Sequence, residues 1–284
     1  MRHLVFLALC LGSAALLSGC AGGDARTKRA IADVNVIDES NLNDIMLTIG
    51  DPQEAVNYFQ NALQKDPNRI DLKRGLAKSL ARAGKPLEAA TVWEQVVLST
   101  EGTPEDKVML ADAQIRSNQW DKAKATLSSV PPTHETYDRY RLEAMVADSE
   151  KNWKKADSFY EIAAGLTTKP SSVLNNWGFS KLTRKEYASA EKLFTQALTY
   201  DPTMFTAKNN LVMARAAQRK YDLPVVQMSQ KERAELLYTM ALSAIKQGDI
   251  SVGKGLLQQA VDTHPQHFEA AARSLAALDA NVTN

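Results

Sequence analysis

Ala55, Ala89, Ala123, Ala156 and Ala190 recur at intervals of 34, 34, 33 and 34 residues. A period of this length, repeated in register, belongs to a chain built of like units that bury their apolar faces on their neighbours. Each alanine is followed at plus four and plus seven by further small, aliphatic or aromatic residues: Phe59 and Ala62, Trp93 and Val96, Leu127 and Val130, Tyr160 and Ala163, Phe194 and Ala197. Those spacings fall on one face of a helix. Pro67 and Pro202 stop two of these helices, because proline lacks the amide that would continue the ladder. A second amphipathic stretch precedes each frame, from Leu42 to Leu47, Leu76 to Leu80, Leu110 to Ile115, Leu142 to Ala147 and Trp177 to Leu182. Each unit therefore reads as helix, turn, helix. The predicted class is all-α, a superhelical solenoid of antiparallel helix pairs, with five units over residues 36–204.

The period breaks at one place. Ala190 plus 34 lands on Pro224, where a mid-helix residue is required. The sequence predicts a first helix from Thr206 to Arg219 and then an irregular segment until Ser229 or Gln230 opens a new helix, so that residues 205–233 form a defective unit. A last frame, Gly253, Leu257, Ala260 and Pro265, belongs to a final unit over 234–284. Glycine in place of alanine at 253 predicts looser packing there. Phe268 to Leu278 forms a C-terminal capping helix that covers the end of the array.

The chain opens with a basic Met1-Arg2-His3, an apolar run from Leu4 to Leu17, and Leu17-Ser18-Gly19-Cys20. This order is that of an export signal, and the apolar run is short for a membrane span. Leu-Ser-Gly-Cys resembles the bacterial lipobox, which implies that residues 1–19 are removed and that Cys20 carries the acyl chains of a lipoprotein. Cys10 lies in the removed part, so the exported chain would have neither a disulfide nor a free thiol. Ala21 stands where an aspartate would signal inner-membrane retention, and the resemblance implies the periplasmic face of the outer membrane. Residues 20–35, with Gly22, Gly23, Arg26, Lys28 and Arg29, read as a lipidated polar tether.

With Lys+Arg 34 against Asp+Glu 33, the net charge of +1 supplies no field for displacing phosphate counterions, so nucleic acid is not the expected partner. The expected partner is protein. No HExxH, Walker loop, GxSxG or CxxC occurs, and the proline between His264 and His267 argues against a metal pair. Asp106, Asp112, Glu143 and Asp148 read as solvated helix faces. The chain is therefore expected not to be an enzyme, and to use no metal, small-molecule substrate or cofactor beyond the lipid on Cys20.

Candidate binding residues lie on the first helices, which line the inner groove of such an array. Arg74, Lys78 and Arg82, four apart, put three cations on one helix face. They suit an acidic segment or a terminal carboxylate, or else form a solvated stripe. Asn175-Asn176 and Asn209-Asn210 recur 34 residues apart and could hold the backbone of an extended peptide, or serve local capping and inter-helix bonds. Trp93, Trp120, Trp153 and Trp177 are read as packing residues.

Asn176-Trp177-Gly178-Phe179, followed by Tyr187, Ala190, Phe194, Ala197 and Pro202, resembles the tetratricopeptide repeat, some members of which grip peptides with an asparagine ladder. The C-terminal third, from Ala207-Lys208-Asn209-Asn210 through Tyr221-Asp222-Leu223-Pro224 to Lys246-Gln247-Gly248-Asp249 and His264-Pro265-Gln266-His267-Phe268, is similar to the TadD-type lipoproteins of the tight-adherence (Tad, or Flp) pilus system. That resemblance implies a pilotin-like adaptor that assists the outer-membrane secretin or another pilus component. The alternative is a general envelope-biogenesis lipoprotein, serving outer-membrane assembly or scaffolding peptidoglycan hydrolases.

Overall fold

A computed structural model describes residues 42–282. The expected export signal, Cys20 and the 20–35 tether lie outside the described residues. Among those described there is no β-strand, and no helix is long and apolar enough to cross a membrane. The chain forms two compact units, divided between Gly102 and Thr103.

The first unit contains α1 (residues 42–48), α2 (Pro52–Lys65), α3 (Ile70–Arg82) and α4 (Pro86–Val97). Asp51 opens α2 by accepting from the Gln53 and Glu54 amides at 2.9 and 3.0 Å, and Pro52 takes the first helical position, where no amide is needed. Ala55 and Phe59 are fully buried. A Cβ at Gly75 would lie 2.3 Å from the Phe59 ring, so glycine is what allows α3 to come this close. Helix α4 packs on α3 and buries Ala89, Trp93 and Val96.

The second unit contains α5 (Pro104–Arg116), α6 (Trp120–Ser128), α7 (Tyr137–Ser149), α8 (Trp153–Gly165), α9 (Ser171–Thr183), α10 (Tyr187–Tyr200), α11 (Phe205–Ala216), α12 (Gln230–Lys246), α13 (Ile250–Thr263) and α14 (Glu269–Val282). Helices α5 with α6, α7 with α8, α9 with α10 and α12 with α13 pack as pairs, and α10 with α11, α11 with α12 and α13 with α14 pack between successive pairs. Tyr160 and Phe194, the aromatic members of the repeating frame, are buried, and each such burial stabilises by roughly 1.5–3 kcal/mol over exposure. Asp106 does not face solvent. It is 3% exposed because it completes a capping box, accepting from the Thr103 amide at 2.9 Å while its own amide donates to Thr103 Oγ1 at 3.2 Å. Asp112 is likewise engaged, by Arg116 and Arg141.

One backbone device ends α3, α5, α7, α9, α11 and α12. Gly84, Asn118, Lys151, Lys185, Arg219 and Gly248 all have positive φ, between 57° and 86°. The next amide in each case reaches back five residues: Lys85 to Leu80, Gln119 to Gln114, Asn152 to Ala147, Glu186 to Lys181, Lys220 to Arg215 and Asp249 to Ala244. These are left-handed helix stops in which orphan carbonyls recover a donor.

The stop after α11 explains why that helix ends at Ala216 rather than at Arg219: Arg219 is the left-handed residue itself, at φ 59°. The turn is thus kept, and the helix that should follow it is absent across 217–229. Pro224 accounts for this, since it can neither donate an amide nor tolerate a helical predecessor. The segment packs nonetheless. Tyr221, Leu223 and Met228 lie on the core formed by Leu236, Leu237 and Met240, and Tyr221 donates its hydroxyl to Asp249. The unit around Gly253 is tighter than its glycine suggests, not looser. A Cβ there would sit 2.4 Å from Ile245 Cγ1, so α12 and α13 use the missing methyl to approach.

Candidate protein-binding groove

In the second unit the first helices α7, α9 and α11 line a largely apolar groove of about 490 Å³. Its floor carries two of the repeating asparagines. Asn210 on α11 donates from Nδ2 to Oδ1 of Asn175 on α9 at 3.0 Å, and each residue is 7% exposed. The bond leaves Asn175 Nδ2 and Asn210 Oδ1 without a partner among the described residues, while no fully enclosed polar side-chain atom is unsatisfied. A donor and an acceptor therefore remain open to whatever enters, whichever way the two amides are oriented. Asn176 also lines the groove, its Nδ2 3.9 Å from Met145 Sδ. Asn209 does not line it: it accepts from Thr239 Oγ1 at 2.8 Å and ties α11 to α12.

The walls carry residues that the sequence assigned elsewhere. Trp120 and Trp153, read as packing residues, both line the groove, Trp120 while also packing against the core of Val108 and Leu127, and Phe179, which is 50% exposed, lines it too. Their signal was present in the spacing. Pro86, Trp120, Trp153 and Tyr187 each occupy the first position of a second helix, and only the middle two are tryptophan. Trp93 and Trp177 are packing residues, and Trp177 stacks on Tyr160 with ring centroids 6.3 Å apart.

Asp148, read as a solvated carboxylate, is a groove residue held from two sides, by Ser180 Oγ at 2.6 Å and Tyr160 Oη at 2.8 Å. Burial pushes its carboxyl above the usual range, outweighing those two hydrogen bonds. Burial, together with the adjacent Asp148 charge, also drives the Tyr160 phenol up, so it stays a donor. Behind the wall, Asp157 on α8 accepts from Arg184 at 2.6 and 3.1 Å, from Lys181 at 2.9 Å and from Trp177 Nε1 at 2.7 Å. Burial acts to raise this carboxyl, but the donors outweigh it and hold it at about 2. The Arg184 guanidinium also lies over the Trp153 ring, 5.2 Å from its centroid, fixing that part of the wall.

The cationic stripe of the first unit is differently employed. Arg82 donates to the Met46 and Leu47 carbonyls at 2.9 Å and to that of Gly50 at 2.8 Å, closing the C-terminal end of α1. Arg74 donates to the Glu101 carbonyl at 2.8 Å. Lys78 alone of the three projects into solvent with no bond among the described residues. Two of the three cations are thus spent on backbone oxygens of their own unit, which no charge pattern in the sequence could foretell.

Among the described residues no three His, Cys, Asp or Glu side chains come together in a metal-binding group. His264 hydrogen-bonds within its own turn and His267 pairs with Glu269 at 2.9 Å.

Tetratricopeptide repeat models match residues 47–106 and residues 235–267. The fold is a tetratricopeptide-repeat solenoid. Solved structures agree at TM-scores above one half: a tetratricopeptide repeat protein from Parabacteroides merdae (TM-score 0.56, 13% identity, 84% of this chain and 96% of that one) and a chain of the APC/C hetero-tetramer Cut9-Hcn1 (0.60, 14%, 83% and 48%). The human IFIT1 dimer, solved with m7Gppp-AAAA, is also similar (0.56, 16%, 80% and 58%). The chain spans about half the length of the Cut9-Hcn1 chain that it matches. At these identities the likeness is one of fold. No curated protein sequence matches the chain. Such repeats are protein-interaction scaffolds, and the groove is where this one presents open polar groups between aromatic walls.

Proposed function

We propose that the protein is a non-enzymatic adaptor of the bacterial envelope, anchored through acyl chains on Cys20 to the periplasmic face of the outer membrane. Its groove grips an extended segment of another protein. The observation that carries this reading is the Asn175–Asn210 pair, which offers one donor and one acceptor to a peptide backbone on the floor of an apolar groove. The lipobox-like Leu17-Ser18-Gly19-Cys20 supports the anchor, and the resemblance of the C-terminal third to TadD-type lipoproteins supports a pilotin-like task on the secretin of the Tad pilus.

The test is a pull-down from detergent-solubilised membranes with the full chain and with Cys20→Ala, bound proteins being identified by mass spectrometry. Recovery of a secretin, with its multimers reduced or misplaced in the Cys20→Ala strain, is the expected result. Recovery of peptidoglycan hydrolases or outer-membrane assembly factors instead would move the adaptor to general envelope biogenesis. Equal fractionation of both forms with the membrane would remove the lipid anchor from the reading.

A further inference from the structure

The groove has a sign. Among the described residues lining it, Asp148 is the one with a carboxylate or a basic side chain. Its oxygens are met only by the hydroxyls of Ser180 and Tyr160, and among the described residues it forms no salt bridge. The cations nearby are already matched to other carboxylates: Arg184 and Lys181 to Asp157, and Arg141 to Asp112 and Asp138. Arg184 attracts this half-buried carboxylate from behind Ser180, to whose hydroxyl it donates at 3.1 Å, but makes no direct bond to it, so an incoming cation would gain a charge-assisted bond in a partly dry site. The surroundings suit a long cationic side chain in particular. Trp153 already holds the chain's own Arg184, whereas among the described residues no cation lies over Trp120 or the half-exposed Phe179. Aromatic faces attract a guanidinium or ammonium and also cover the apolar stem beneath it.

We infer that the segment gripped by this groove is an extended stretch of a partner protein that places a lysine or arginine side chain on Asp148, with its backbone on the Asn175–Asn210 pair. This rests on the reading of the groove as a peptide site and adds the chemistry of its anchor. It is opposite in sign to the acidic segment that the Arg74, Lys78 and Arg82 stripe would select.

The probe is an array of random-sequence, end-capped peptides incubated with the detergent-purified full chain, followed by fluorescence anisotropy on the strongest binders. Lysine or arginine should be enriched at one position, and replacing it by norleucine should weaken binding about tenfold, the range of a charge-assisted hydrogen bond in a partly dry site. Asp148→Asn should lose the same factor and be indifferent to the norleucine replacement. Ser149→Lys sets a cation beside Asp148 from an exposed groove position, leaves the Ser180 and Tyr160 bonds untouched, and should give the same loss if Asp148→Asn misfolds. Binders without a basic residue, or a norleucine effect undiminished in both variants, would overturn the cationic anchor while leaving the peptide site standing. If the array binds nothing more tightly than it binds an Asn175→Ala, Asn210→Ala double variant, the peptide site itself fails and the anchor with it.

Discussion

Asn210 and Asn175 sit 35 positions apart, on α11 and α9, and share a 3.0 Å hydrogen bond on the groove floor. One asparagine is thus used to hold two first helices together while its own oxygen stays open in the groove. Asn209, its neighbour in sequence, spends its oxygen on Thr239 instead. Asn210→Ala should therefore lower stability by about 1–2 kcal/mol, the cost of stripping a buried amide of its partner, and should also weaken peptide binding. Asn209→Ala should lower stability by a similar or smaller amount and leave binding unchanged. Urea unfolding together with anisotropy on one peptide separates the two, and a binding defect in both variants would show that the groove merely reports the integrity of the fold.

The solenoid was legible because its determinants are local and periodic. Ala156, Tyr160 and Ala163 mark a buried face whether or not the partner helix is known, and Pro224 forbids a helix interior at the place the period assigns to it. The groove was legible only in part. Asn175 and Asn210 were visible as a repeat, but Asp148 looked like any helix-surface carboxylate, since the hydroxyls that hold it come from Tyr160 on α8 and from Ser180, 32 residues away on α9. Arg82 was misleading for a related reason: its acceptors are backbone carbonyls 32 to 36 residues earlier, and a carbonyl has no letter in a sequence.

The second prediction concerns that arginine. Arg82→Ala removes three charge-assisted bonds to the end of α1, and because the site is exposed the expected loss is about 1 kcal/mol. Lys78→Ala, four residues earlier on the same face, should be neutral. Hydrogen exchange should show faster exchange confined to residues 42–50 in Arg82→Ala. Equal protection in both variants would return Arg82 to the solvated stripe.

The third concerns the turns. Lys151 and Lys185 adopt φ values of 57° and 66°, a conformation that costs a side chain about 1–2 kcal/mol and glycine little. After the extra backbone entropy glycine loses on folding, Lys151→Gly and Lys185→Gly should each stabilise by about 0.5–1 kcal/mol. Gly84→Ala, at φ 72° with open space around its Cβ, should destabilise by a similar amount for conformational reasons alone. Thermal melts of the three variants suffice, and a lower melting temperature in both lysine variants would mean that those side chains contribute contacts outweighing the backbone strain.

The last prediction is a pH dependence with a definite sign. Asp157 is held at about 2 against an ordinary 3.8, so the folded state favours its ionised form. A carboxyl depressed in this way adds stability that is complete above about pH 5 and is lost as the pH falls toward 2, where the folded protein must also take up the proton. The span corresponds to roughly 1–2 kcal/mol once screening by the water reaching this partly exposed group is allowed for. Asp148 acts in the opposite sense. Burial raises its carboxyl, so its contribution improves as the pH falls through that raised value, and the two partly cancel in the wild-type curve. The difference in unfolding free energy between wild type and Asp157→Asn isolates the Asp157 part. It should be constant above about pH 5 and shrink steadily between about pH 5 and pH 2. A difference that stays flat over that interval would mean that Arg184, Lys181 and Trp177 do not bind the ionised carboxylate in preference to the neutral one, and that the wall behind Trp153 is braced by packing alone.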